Sequence, residues 1–274
     1  MSSIIITGAS SGIGLSLTHH FLSLSTPSTP SRIALLDLNP PADGLTSLST
    51  LYPSAQITFH QADVSSWDSL SSVFSTLYTS HLNNKLDIVI ANAGISEQGS
   101  TTLINLNQTP ESEPVKPKTK VLDVNLYGVI YSINLAVHYM SKNQTPGGHI
   151  ICTASNAGLY PLPTAPLYAA SKFAVVGLVR STAQLIKSRG IRINGLAPAV
   201  LETNIAPSKD LFKHMIVTPM STLIKGVEQL VNDESLSGEI AEIHGEKVTL
   251  RPAHEFVDED TKKNIDTFWS LGYA

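Results

Sequence analysis

The sequence predicts a doubly wound α/β fold over residues 1–274 as a single domain, a seven-stranded parallel sheet with helices on both faces. Three observations predict it. Short apolar, β-rich runs alternate with longer helical patterns, the rhythm of strands joined by helical crossovers. Seven such runs with helices between them imply a parallel sheet covered on both faces. A glycine-rich corner, "TGASSGIG", lies between the first run and the first helical pattern.

The elements follow in order. Ile4 to Thr7 is the first strand, and the corner leads into a helix over Gly12 to Ser23. "TPSTPS" at 26–31 is a turn before the second strand, Arg32 to Asp37, and "NPPADG" at 39–44 is the loop after it. Gln56 to Gln61 is the third strand, Ser66 to Asn83 a helix, and Asp87 to Asn92 the fourth strand. The segment 95–118, with Pro110, Pro114 and Pro117 and little periodicity, is an extended loop, either a substrate-site rim or a disordered connection. A helix over Thr119 to Lys142 follows, then a strand over His149 to Ala154 and a helix over Tyr168 to Ser188. A strand at Arg192 to Ala197, a helix at Pro219 to Asn232 and a last strand at Ile240 to Leu250 complete the pattern.

Composition narrows the function. Hydrophobic residues make up 42% and charged residues 15%, the proportions of a globular chain. A net charge of −4 without a Lys/Arg cluster argues against a nucleic-acid partner. The one cysteine, Cys152, lies in the apolar run "HIICTAS", which reads as a small core residue and fits a reducing, cytoplasmic compartment. Only Met1, Ser2 and Ser3 precede the first apolar run, so no leader is expected, and no run reaches the length of a membrane span.

Gly8, Gly12 and Gly14 sit where a strand turns into a helix, the context in which helix amides receive a phosphate. Gly8 would make the turn, Gly12 admit a pyrophosphate and Gly14 let helix and sheet pack closely; a purely structural turn is the alternative. Asp37, at the end of the second strand, can accept hydrogen bonds from adenosine ribose hydroxyls and would repel a 2′-phosphate. Ser10 and Ser11 provide no cation for such a phosphate, so NAD is expected rather than NADP. Asp63 with Val64, and Asn92, Ala93 and Gly94, follow the third and fourth strands at the carboxyl edge, where ligands of doubly wound sheets bind.

Tyr168 and Lys172 are four residues apart and share a helix face. A phenol is a poor base at neutral pH, and an adjacent ammonium favours the phenolate, so the pair can move a proton. Ser155 ends the fifth strand, where its hydroxyl can meet a substrate oxygen. Asn125, a polar side chain inside an apolar helix, needs partners, either a water or a backbone group serving the lysine. That helix is apolar on nearly every side, which asks for a second subunit or for the 95–118 loop to cover it.

The ordered set "TGASSGIG", "DV", "ANAG", Asn125, Ser155 and Tyr168-x-x-x-Lys172 resembles the short-chain dehydrogenase/reductase family over residues 4 to about 204. Within it, the run "IICTASNAGLYPLPTAPLYAASKFAVVGLVRS" and the ending without the usual "vdGG" strand most resemble NAD-dependent 15-hydroxyprostaglandin dehydrogenase-like members. The resemblance implies a Rossmann domain and hydride transfer at the nicotinamide, with Tyr168 as acid/base and Ser155 stabilising the reacting oxygen. It further implies that Lys172 binds the nicotinamide ribose and that Asn125 maintains a proton relay through water. The matched cofactor positions are Gly8, Ser10, Ser11, Gly12, Ile13, Gly14, Asp37, Leu38, Asp63, Val64, Asn92, Ala93, Gly94, Tyr168, Lys172, Pro198, Leu201 and Thr203; no metal is implied. Ala199 stands where the family has glycine, and the tail after about 205 matches weakly.

The expected activity is therefore NAD(H)-dependent interconversion of a secondary alcohol and a ketone. Ile205, Leu211, Phe212, Met215 and Ile216, in a substrate-binding segment 201–218, suggest a lipid, terpenoid or polyketide-like substrate, or else they pack onto the core. A homodimer or homotetramer is expected, with neither membrane nor nucleic acid as partner. The alternatives are a non-redox step such as cyclisation or isomerisation in the same pocket, and a non-catalytic NAD-binding scaffold.

Overall fold

A computed structural model describes residues 2–97, 103–104, 109, 112–205 and 209–272. Parts of the 95–118 loop and of the 201–218 segment therefore lie outside the described residues. The strands are β1 (Ser3–Thr7), β2 (Arg32–Asp37), β3 (Gln56–Gln61), β4 (Ile88–Ala91), β5 (Gly148–Thr153), β6 (Ile191–Pro198), β7 (Ile240–His244) and β8 (Lys247–Arg251). They form one sheet in the order β3-β2-β1-β4-β5-β6-β7-β8, parallel throughout except for the β7/β8 pair. The chain winds outward from β1 to β3 and then crosses to β4. The order thus reverses between β1 and β4, the place outside the carboxyl ends where ligands of such sheets bind.

The sheet has eight strands where seven were expected, because the run Ile240 to Leu250 is two strands. Gly245, with φ of 51°, is the first residue of a two-residue turn that folds β8 back antiparallel on β7. The glycine inside an otherwise strand-like run was the signal for that turn.

The helices are α1 (Gly12–Ser23), α2 (Leu45–Leu51), α3 (Trp67–Ser80), α4 (Lys120–Leu122), α5 (Gly128–Met140), α6 (Pro166–Ile186), α7 (Met220–Asn232) and α8 (Glu259–Leu271). The helix expected over Thr119 to Lys142 widens into a π turn at Asp123–Tyr127 between α4 and α5. α6 starts two residues before the expected Tyr168, since Pro166 has the right φ for a first helical position and needs no N–H partner there. Neither α2 nor α8 was anticipated; α8 buries none of its residues.

Strand side chains alternate between two cores. Ile5, Val89, Ile150 and Ile193 face α3, α5 and α6, meeting Phe74, Ile133 and Val179. Ile4, Ile6, Ile90 and Ile151 face α1 and α7, meeting Leu17, Phe21, Leu223 and Val227. Cys152 is fully buried in the first core, which pushes its thiol up to about 12. The outward side of α5 is less apolar than expected: Asn134 and His138 are exposed there. No described helix is long and apolar enough to cross a membrane.

One buried histidine ties stability to pH. His149 on β5 is 4% exposed, receives a hydrogen bond from Asn194 Nδ2 at 3.0 Å and has the Arg192 guanidinium 3.4 Å away. Burial first, and then Arg192, push its pKa down to about 3. The unfolded chain takes up this proton below the ordinary histidine value near 6.5 and the native state does not, so stability falls as pH drops from there towards 3. The loss reaches roughly 4 kcal/mol at the acid end. Urea melts between pH 7 and 4 should show this slope, and His149→Gln should flatten it.

Candidate active site

The glycine corner closes on the sheet edge. Gly8 N donates to Leu36 O at 2.8 Å, and a Cβ on Gly8, whose φ is +64°, would stand 2.7 Å from Ala93 Cα. A Cβ on Gly14 would stand 2.0 Å from Gly8 O, so only glycine lets α1 approach the turn it leaves. Gly12 faces the Thr203 side chain, 3.3 Å from where its Cβ would be. At the helix start Ser11 is exposed and makes no side-chain cap, and no acidic residue occupies the first turn. First-turn amides that no local side chain caps suit an anion such as a pyrophosphate, and the corner fits a dinucleotide in that respect.

Ser10 has a different task. Its hydroxyl bonds the Asn39 carbonyl, its N–H donates to Asp37 Oδ2 at 3.0 Å, and its carbonyl accepts from Ala42 N at 3.0 Å. The 39–44 loop is thereby stitched to the corner. Asp37 Oδ1 accepts from Leu38 N at 2.7 Å, so the carboxylate is fixed at the end of β2 beside the exposed Leu38. Ile13 packs against the α1/α7 core.

Asp63 Oδ1 accepts from Ser65 N and Oγ at 2.9 and 2.6 Å, and that hydroxyl bond leads the causes that lower its pKa. Val64 is buried, with Gly128 of α5 so close that a Cβ there would stand 2.9 Å from a Val64 methyl. Asn92 joins three strands: Nδ2 donates to Thr7 O and Gly8 O at 3.2 Å each, and Oδ1 accepts from Thr153 Oγ1 at 3.1 Å. Ala93 N donates to Thr7 Oγ1 at 3.2 Å.

Gly94 leads from this seam to the lysine, with Lys172 Nζ 3.7 Å from where its Cβ would be. Lys172, 2% exposed, donates from Nζ to Thr153 O at 2.8 Å and lies 5.6 Å from the Tyr168 ring centroid. Burial lowers its pKa to about 8. Burial also pushes the Tyr168 phenol up, while a hydrogen bond with Ser155 pulls it down. Ser155 Oγ in turn accepts from Ala157 N at 3.1 Å, which fixes the hydroxyl at the end of β5.

Asn125 lies in the π turn, where the widened backbone turns its side chain inward to full burial. It grips a backbone segment: Ile95 N donates to Oδ1 at 2.8 Å, and Nδ2 donates to Ile95 O at 2.9 Å. Ser171 Oγ, 3.4 Å from the same Nδ2, donates to Tyr168 O at 2.6 Å. The four residues expected to act together thus lie around the start of α6.

Pro198 ends β6, Leu201 is buried against the α1/α7 core, and Thr203 meets the glycine corner. Ala199 is not strained, because positive φ at a non-glycine residue is confined to Asn83 and Asn84 among the described residues. Ile205, Met215 and Ile216 are 38, 42 and 90% exposed and do not pack the core. Phe212 is half-buried, and the Leu211 side chain is outside the described residues.

Sequence reasoning missed three residues here. Thr153 holds Lys172 through its carbonyl, and Thr7 takes two amides of the Asn92 segment on one hydroxyl. Glu97 Oε2 accepts from Leu167 N and Tyr168 N at 2.9 and 3.1 Å. The first two bonds are through a backbone carbonyl or a strand-end hydroxyl, with no local pattern. The third had a signal: no Ser, Thr, Asp or Asn stands at Ala165 to cap the helix that carries Tyr168.

The short chain dehydrogenase family model matches residues 2–213. The chain is 33% identical over 238 residues to the short-chain dehydrogenase/reductase prx7 of Penicillium rubens, covering 76% of this chain and 82% of that one. It is 29% identical over 279 residues to the 15-hydroxyprostaglandin dehydrogenase [NAD(+)] of Bos taurus, covering 94% of both chains. Among solved structures, ElxO with NADP bound superposes with a TM-score of 0.72 at 22% identity, covering 89% of this chain and 97% of that one, a likeness of fold. The chain belongs to the short-chain dehydrogenase family. It is an oxidoreductase of the class acting on CH–OH groups, with a nicotinamide cofactor and a small-molecule substrate.

Proposed function

We propose that the protein interconverts a secondary alcohol and a ketone on an apolar, lipid, terpenoid or polyketide-like substrate, using NAD(H), with Tyr168 as the acid/base. The observation that carries this reading is continuity. From Gly8 through Asn92, Ala93 and Gly94 to Lys172 and Tyr168, each residue touches the next along one edge of the sheet. This continuity supports a common crevice for the phosphate corner and the phenol.

A bound oxidised nicotinamide would supply the hydride acceptor. Ser155 donates to the substrate oxygen and holds it against Tyr168. In oxidation the hydroxyl proton passes to the Tyr168 phenolate as hydride leaves the carbinol carbon; reduction runs the reverse. Lys172, buried and pinned on Thr153 O, keeps an ammonium near the phenol and favours the phenolate. Asn125 fixes Ile95, two residues before Glu97. The exposure of Ile205, Met215 and Ile216, in the segment that follows Thr203, supports an apolar substrate. Absorbance at the NADH band with a panel of bulky secondary alcohols and ketones tests the reading; product formed without any change in that band would overturn it in favour of a non-redox step.

Asp37 underlies the choice of NAD. Asp37→Ala should weaken NAD by about tenfold to a hundredfold, the worth of hydrogen bonds to a charged acceptor, and narrow the preference over NADP. Fluorescence titration with both cofactors checks this, and tighter NADP binding by the unchanged protein would refute the preference. We also place a second copy of the chain on the side of α5 where Tyr127, 48% exposed, lines up with Tyr131 and Trp67. Light scattering that returned a monomer would remove that part.

A further inference from the structure

We propose that Glu97 is a positioning residue for Tyr168: its carboxylate seats the first turn of α6 from outside the helix, and so fixes where the phenol stands and the field it feels. Every helix start leaves unpaired N–H groups, and α6 has no local means to satisfy them. Its N-cap is Ala165, with no side-chain bond, and its first turn contains no acidic residue. Pro166 has no N–H. The next two amides, those of Leu167 and Tyr168, both go to Glu97 Oε2, 70 and 71 residues away in sequence. The second of them is the amide of the proposed acid/base itself.

The loop that presents Glu97 is itself held. Asn125 bonds both backbone groups of Ile95, two residues before Glu97, and Gly94 lies against Lys172. Glu97 Oε1 is buried with no hydrogen-bond partner, so the two amides of α6 define the seat of this carboxylate. A negative charge at a helix N-terminus is favourable, and here it stands 3.1 Å from the amide of the residue that carries the phenol.

The groups facing that phenol have opposite effects. Lys172, from α6, favours the phenolate, and the Ser155 hydroxyl at the end of β5 assists it. Cys152, on β5, lies by the lysine and is held neutral by burial. Glu97, from the loop after β4, sits at the Tyr168 amide rather than at the phenol, and by its charge would favour the protonated form. Removing its charge while keeping its acceptor should therefore lower the Tyr168 pKa, and removing the acceptor as well should loosen the first turn.

The inference gives a new part to the reading of Tyr168 as acid/base, and its test is independent of turnover. With ζ-13C-labelled tyrosine, the Tyr168 line is identified as the one missing from Tyr168→Phe. In Glu97→Gln its titration midpoint should fall by about one pH unit, with the line of the protonated form in place. In Glu97→Ala the midpoint should fall as well and the line should move or double, while NADH affinity stays that of the parent in both variants. Titration of Tyr168 as in the parent in both variants would overturn the inference. So would loss of NADH binding and of spectral dispersion in Glu97→Gln, because Glu97 would then be supporting the fold at large. Turnover by Tyr168→Phe, by contrast, would sink the acid/base reading and leave this titration standing.

Discussion

Tyr168→Phe should cost roughly a thousandfold in turnover, within the range that general acid–base groups contribute, while NADH still binds. The substitution removes one oxygen and keeps the ring. The contact between that ring and Lys172 Nζ, 5.6 Å from its centroid, survives, as does the Lys172 bond to Thr153 O. The glycine corner and Asp37 are untouched, so the cofactor keeps most of its contacts. What disappears is the group that exchanges a proton with the substrate oxygen while Ser155 holds it. Ser155 cannot substitute: its oxygen already accepts from Ala157 N and, as an aliphatic hydroxyl, it has no accessible anionic state near neutral pH. Single-turnover absorbance at the NADH band with a saturating alcohol is the decisive measurement. Turnover within a few-fold of the parent would take Tyr168 out of the chemistry.

Much of the architecture was legible because β-rich runs alternate with helical patterns, and the central strands β1 and β4 are apolar and buried on both faces. β2 and β3 fall where their β-rich runs lie, and α1 starts and stops where its glycine corner and periodicity place it. What escaped depends on single residues or distant partners. Gly245 turns one run into a hairpin, an effect of one φ angle that periodicity averages away. The π turn at Asp123–Tyr127 leaves an apolar helical pattern intact while rotating Asn125 inward. α8 has an apolar stripe, including Ile265, Phe268 and Trp269, that finds no burial in the chain, so its pattern leads to no core.

The site divides in the same way. Tyr168 and Lys172 were readable because four residues on one helix fix their geometry without further knowledge. Ser10 was matched to the cofactor, and the structure shows its hydroxyl on the Asn39 carbonyl, a pairing that needs the 39–44 loop to fold back. Asn125 was recognised as needing a partner, and the partner is Ile95, whose place depends on how the segment after β4 crosses α6. Local chemistry shows which groups have a need, and only the tertiary fold shows what meets it.

The second large effect belongs to the glycine corner. Gly14→Ala should destabilise the protein by about 3 kcal/mol or more, at or beyond the upper end of the usual cost of overpacking, and should abolish NADH binding. The new methyl would stand 2.0 Å from Gly8 O, 2.7 Å from Gly8 C and 2.8 Å from Asn92 Nδ2. Two of these are backbone atoms, and the third belongs to a side chain tied to Thr7 O, Gly8 O and Thr153, so no rotamer change relieves the contact. Either α1 moves off the sheet or the corner opens, and both displace the first-turn amides that would receive the phosphates. Gly177→Ala is the matched control, because it lies on the same kind of secondary structure, in α6, with nothing within 4 Å of its new methyl. There the substitution should stabilise by up to about 1 kcal/mol through helix propensity alone. Urea melts and NADH titration of the two variants separate a steric requirement at the corner from a general effect of alanine, and a Gly14→Ala protein that behaved like Gly177→Ala would show that the corner can yield.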